Sequence, residues 1–158
     1  MTDLVLLVTA LTAVACGLAA GAFLAFSAFV LPALDALDDE GLTAMQSVNS
    51  HAVRPPFMLA LFGPAVACLG LAVWSVASWG AAGSAWVLAG AVAYVLGAVG
   101  VTVTRNVPLN DRMAALPASS GSGEWHELAG WWLRWNHVRL VLTAAGAALL
   151  TAGAVVMS

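Results

Sequence analysis

The sequence is short of charge. Only 8% of its 158 residues are Asp, Glu, Lys or Arg, about a third of the share in an average soluble domain. Lysine is absent altogether. A chain that is 62% hydrophobic and this poor in charge is not disordered. Its net charge of −3 leaves no cationic surface for nucleic acid. Two cysteines are too few for a disulfide-stapled secreted domain. The start Met-Thr-Asp lacks the basic region of a secretion signal, so the first apolar run is expected to be a span. The chain has no His-x-x-x-His or Cys-x-x-Cys spacing, phosphate loop, dinucleotide fingerprint or nucleophilic triad.

Four long apolar runs are present, at Leu4–Leu31, Pro56–Ser78, Ala85–Thr104 and Val138–Met157. About 20 apolar residues cross a hydrocarbon core of ~30 Å, and each run reaches that length. The first is longer, so it must tilt or continue past the interface. The expected fold is an all-α, four-helix, up-and-down transmembrane bundle, a single domain over 1–158. The bilayer is its first partner.

The arginines orient it. Arg54, Arg105, Arg112, Arg134 and Arg139 all fall on the side of the two long loops, 33–54 and 105–137, and the opposite end holds no cation. The positive-inside rule puts both loops in the cytoplasm of a bacterial-type plasma membrane, with both termini outside. All three histidines and seven of the eight acids share that side, so a site is expected at the cytoplasmic mouth.

The loops carry structure of their own. Leu42, Met45, Asn49 and Ala52 recur at helical spacing behind an acidic start, which predicts a short amphipathic helix. Pro55 and Pro56 suit the first turn of the second span. Pro108 is expected to break the third helix, and Pro117–Gly123 reads as a linker. From Glu124 a helical stretch runs into the fourth span. Small-residue stripes at Gly17 and Gly21, Ala93 and Gly97, and Gly146 and Gly153 predict close helix packing, within one chain or in a homo-oligomer. Cys16 and Cys68 are read as small, inert core residues.

Four features could carry chemistry. Asn106 and Asn110 either cap the frayed end of the third span or aim donors at a substrate oxygen. Trp125, Trp131, Trp132 and Trp135 form either an interfacial belt or an aromatic slot. At 100° per residue Trp131, Trp135 and Arg139 share a face, as do Trp132, Trp135 and Asn136. Arg139 favours the slot, because a charge within a span is costly and usually functional. His137 is either a general base or an interfacial hydrogen-bonding residue. His51, His126 and His137 are the alternative as copper or iron ligands. An unbroken helix would hold His126 and His137 about 16 Å apart, so a metal site would need a break at Gly130.

The stretches FLAFSAFVLPAL at 23–34, AMQSVN at 44–49, TRNVPLNDR at 104–112 and WLRWNHVR at 132–139 resemble the anthrone oxygenase family of small four-span membrane proteins. The resemblance covers all four spans in order. It implies an oxygenase or monooxygenase that turns a flat phenolic or polyketide-like substrate into a quinone with O2 as co-substrate and no added cofactor. On that implication His137 serves as base, with Asn106, Asn110 and Arg139 as enolate donors. Trp131, Trp132, Trp135 and Asn136 line the substrate, and Asn49 closes the pocket. A metal-dependent oxidase and a non-catalytic small-molecule binder are the rival expectations.

Overall fold

A computed structural model describes residues 2–117 and 122–158. Among them there is no strand, and four helices are long and apolar enough to cross a membrane. The first joins α1 (Thr2–Ala25), a π-helical turn (Phe26–Val30) and α2 (Leu31–Asp35). The amphipathic α3 (Asp38–Ala52) follows, burying Leu42 and Met45. The second span is α4 (Pro55–Ala77). Arg54 before it is extended, at φ −73° and ψ 151°, because the proline ring after it disfavours the helical basin.

A tight turn then reverses the chain. Gly80 and Gly83 adopt φ of 94° and 77°, a region that side chains with a Cβ avoid. The third span joins α5 (Ser84–Tyr94), a π-helical segment (Val95–Asn106) and α6 (Val107–Ala115). The fourth helix, α7 (Ser122–Met157), runs 36 residues without interruption. At 1.5 Å per residue that is roughly 54 Å, so its first half overhangs the hydrocarbon. Most of the expected linker, at 118–121, lies outside the described residues.

The break expected at Pro108 does not occur. Val107 N–H donates to the Thr102 carbonyl, one residue further back than in an α-helix. The widened turn just ahead of Pro108 absorbs a residue that lacks a donor and would clash in a regular helix interior.

Each span packs against its neighbours in chain order, and the fourth closes on the first, so the helices form a ring. The third and fourth spans approach most closely through glycines. A Cβ at Gly90 would lie 2.9 Å from the Gly146 carbonyl oxygen, and one at Gly83 would lie 2.6 Å from that of Gly153. The seven-residue spacing of 83, 90 and 97 keeps these on one seam. Gly17 and Gly21, expected to pack, meet nothing within 4 Å. They sit on an outer surface shared with Leu11, Val14 and Leu18, all more than half exposed.

Two apolar clusters fill the ring. The larger joins Cys16, Phe23, Leu61, Cys68, Leu71, Val87, Tyr94 and Leu150. The second lies at the mouth, where Leu31, Leu42, Met45, Met113, Trp125 and Trp132 tie α2, α3, α6 and α7 together. Gly41 seats α3 on α2 so tightly that a Cβ there would overlap the Leu34 carbonyl. Gln46 Nε2 then donates to the carbonyls of Met113 (2.8 Å) and Leu116 (3.1 Å), satisfying acceptors at the end of α6.

Candidate functional site

Arg139 organises the mouth. It is only 7% exposed, and the ion pairs among the described residues do not include it. Its Nη1 donates to Thr102 Oγ1 at 3.1 Å and its Nη2 to Asn136 Oδ1. Its Cζ lies 4.1 Å from the Phe23 ring centroid and 5.3 Å from that of Trp132. Aromatic faces attract a guanidinium but do not neutralise it. Nε is buried with no partner.

The two π-helical segments hold this arrangement. Asn136, fully buried, donates through Nδ2 to the Phe23 carbonyl and to Ser27 Oγ, both at 2.8 Å. Those acceptors sit where the first span changes register into its π turn. Thr102 lies in the second π segment. A π turn shifts side chains out of the 100° sequence, and such turns occur often at functional sites.

Above Arg139 lies a cavity of about 610 Å³, within the range of small-molecule sites. Phe23 and Phe26 from the first span, Leu61 from α4, Thr102 from the third span and Trp132 from α7 form its walls. Phe26 and Trp132 rings tilt together, with centroids 5.7 Å apart. Trp132 Nε1 donates to Asn110 Oδ1 at 2.8 Å, so the Asn110 amide group is oriented beside the cavity. From α3 come Asn49 and His51, and Asn49 Nδ2 is buried without an acceptor. No carboxylate is among the lining residues.

His51 is the residue that sequence reasoning undervalued. Its Nδ1 lies 2.8 Å from the Ser47 carbonyl. A carbonyl can only accept, so Nδ1 carries the proton and Nε2 keeps a free lone pair in the neutral ring. Its position in the last turn of α3, one turn before the second span, was the available signal.

The remaining expected residues are spread more widely. His137 is exposed, as His51 is, and has the same contact, Nδ1 2.8 Å from the Leu133 carbonyl, but it lies outside the cavity lining. Asn106 is buried behind the wall, its Nδ2 3.5 Å from the Trp132 carbonyl and its Oδ1 unpartnered. Asn136 supports Arg139 from below without lining the cavity. Trp125 is buried in the mouth cluster. Trp131 and Trp135 face outwards, under Arg134 (4.9 Å) and Arg105 (4.6 Å). The shared face expected for Trp131, Trp135 and Arg139 is therefore split, because Trp132 and Arg139, seven residues apart, take the inward side.

The three histidines are not brought together. His126 is at the surface between Asp35 (2.7 Å) and Asp38 (3.1 Å), His51 is at the cavity and His137 is on the outer face. No group of three His, Cys, Asp or Glu side chains placed to hold a metal occurs among the described residues.

A sequence model of the anthrone oxygenase family matches residues 57–149, more than half of the chain. The match covers nearly all of α4, the third span and most of α7, and so includes Thr102, Asn110, Trp132 and Arg139 but not Phe23, Phe26, Asn49 or His51. No curated protein and no solved structure matches the chain.

Proposed function

The chain belongs to the anthrone oxygenase family, and from that premise we propose that the mouth cavity oxidises a flat phenolic, polyketide-like substrate with O2. The observation that carries this reading is a buried guanidinium with no acidic partner at the base of an aromatic cavity. Burying an unpaired cation is costly. An enolate or phenolate oxygen against the guanidinium would neutralise it.

The chemistry follows from the substrate class. An anthrone carries an acidic methylene opposite its ketone. Removing one proton leaves an electron-rich enolate that passes one electron to O2, giving a carbon radical and superoxide. Recombination and protonation form a hydroperoxide, which loses water to leave the second quinone carbonyl. One methylene and one O2 thus become one carbonyl and one water, and this route draws on no redox group other than O2. The protein needs a base, donors for the enolate oxygen and a dry aromatic slot.

In this reading His51 is the base, through Nε2, in place of the expected His137. Arg139 is the principal enolate donor, and Asn49 and the Asn110 amide group add to it. Phe23, Phe26 and Trp132 hold the rings. Asn136 and Asn106 act as positioning residues. The arginine distribution supports a mouth that faces the cytoplasm.

The test is oxygen uptake by the purified protein with a hydroxylated anthrone, in parallel for His51→Ala and His137→Ala. General-base removal costs about 10²- to 10⁴-fold. The expected result is a loss in that range for His51→Ala and near-normal turnover for His137→Ala. The reverse pattern overturns the assignment of the base. Absence of uptake by the unaltered protein overturns the reaction.

A further inference from the structure

Trp131, Trp135 and three of the arginines have no part in the cavity, yet they share a second feature of the same end. A groove of about 230 Å³ runs between the third span and α7, lined by Thr104, Arg105, Pro108, Leu109, Arg112, Trp131 and Trp135. Arg105 lies 4.6 Å from the Trp135 ring centroid, and Arg134 lies 4.9 Å from that of Trp131. Arg105, Arg112 and Trp131 are exposed. None of these arginines enters an ion pair among the described residues, where the ion pairs are those of His126. Glu127 lines the neighbouring hollow with Trp131 and Arg134, and Asp111 precedes Arg112 in sequence, but among the described residues neither acid forms an ion pair with these arginines.

Depth identifies the occupant. From Ser84 a stretch of about 20 helical residues crosses the hydrocarbon and ends near Thr104. Counting the same length back from Met157 reaches Val138. Arg105 and Trp135 therefore stand at headgroup depth, where tryptophan is favoured. Below them Leu96, Val103, Val138 and Val141 continue the outer face as exposed apolar surface. Stacking on tryptophan orients each guanidinium without neutralising it, which leaves its N–H groups for oxygen acceptors.

We propose that this groove binds the phosphate of an anionic phospholipid, with Arg105 and Arg112 on its oxygens and an acyl chain along Val103 and Val138. Basic pockets between spans on the cytoplasmic side take such headgroups. The site is separate from the cavity, and its test does not use oxidation.

The delipidated protein in non-ionic detergent is titrated with phosphatidylglycerol, with phosphatidylcholine of the same chains, and with inorganic phosphate. Bound lipid is counted by native mass spectrometry. The expected result is a preference for phosphatidylglycerol that falls about thirtyfold in Arg105→Gln/Arg112→Gln. It should be unchanged in Arg54→Gln, which alters a cation elsewhere at the mouth, and largely kept in Arg105→Lys/Arg112→Lys. Equal retention of the two lipids, or an equal loss in Arg54→Gln, overturns the proposal. Competition by millimolar inorganic phosphate reassigns the groove to a soluble phosphate and overturns the lipid as its occupant.

Discussion

The two ends of the bundle are held together by different physics. At the end of the short turn, Gly83 and Gly90 press against Gly153 and Gly146, and the interior holds apolar side chains with a few hydroxyls, Thr12 and Ser75 on their own helix carbonyls and Thr9 without a partner. At the mouth the first and third spans pass through π turns, and the space between the helices contains Arg139, Asn136, Asn49 and a cavity. Close backbone contact stabilises helices in lipid, where hydrophobic burial between spans contributes nothing. Keeping an unpaired cation away from water does the opposite. The glycine end therefore supplies stability that the mouth gives up.

Arg139→Met is the strongest way to sharpen that contrast. If the mouth is arranged for an anion, turnover in oxygen uptake should fall by about 10³-fold, near 4 kcal/mol of transition-state stabilisation. Stability should hardly move. The variant removes a costly buried charge but leaves Asn136 Oδ1 without its donor, and these effects oppose each other within about 2 kcal/mol. Loss of the folded state on thermal unfolding in detergent would instead make Arg139 a structural residue and erase the contrast.

Gly90→Ala tests the other end. Its Cβ would sit 2.9 Å from two backbone atoms, Gly146 O and Leu150 N, so the seam must open. The gain in helix propensity recovers up to about 1 kcal/mol, and a net loss of about 2 kcal/mol is expected. Thermal unfolding would show it, while turnover of the folded fraction stays as it was. A large fall in turnover would mean that the seam and the mouth are coupled, and that the two ends are not independent.

The same contrast governs what the sequence disclosed. The spans, α3, the uninterrupted α7 and part of the seam (Gly97, Gly146 and Gly153) follow from run length and spacing, which are properties of a regular helix. Gly83 and Gly90 lie outside the expected stripes, and Gly17 and Gly21 pack against nothing. The mouth was harder. The faces assigned at 100° per residue lay on α7, a regular helix, where Trp132, seven residues from Arg139, is a nearer partner than Trp131. Across Phe26–Val30 and Val95–Asn106 the register slips, and the rule gives no face at all. Trp131, Trp132 and Trp135 could not be divided by polarity either, since lipid, headgroups and an aromatic cavity all accept tryptophan. His51 was hidden for another reason: its place at the cavity depends on how α3 seats on α2, where Gly41 closely approaches the Leu34 carbonyl, and helical periodicity within α3 does not disclose that.

The smallest expected effect lies between the two ends. Cys16 and Cys68, one heptad deeper than Phe23 and Leu61 of the cavity wall, are both fully buried with sulfurs 3.9 Å apart. Each fills space as a small hydrophobe, and truncation to Ala should cost about 1 kcal/mol. Because each single variant removes the same sulfur–sulfur contact, Cys16→Ala/Cys68→Ala should cost less than the sum of the two, by about 0.5 kcal/mol. Strict additivity in chemical unfolding would mean that the sulfurs do not interact and that α1 and α4 are held apart at this level. The dense packing would then end nearer the glycine turn, and the cavity's support would rest on Tyr94, whose hydroxyl donates to the Leu61 carbonyl at 3.0 Å.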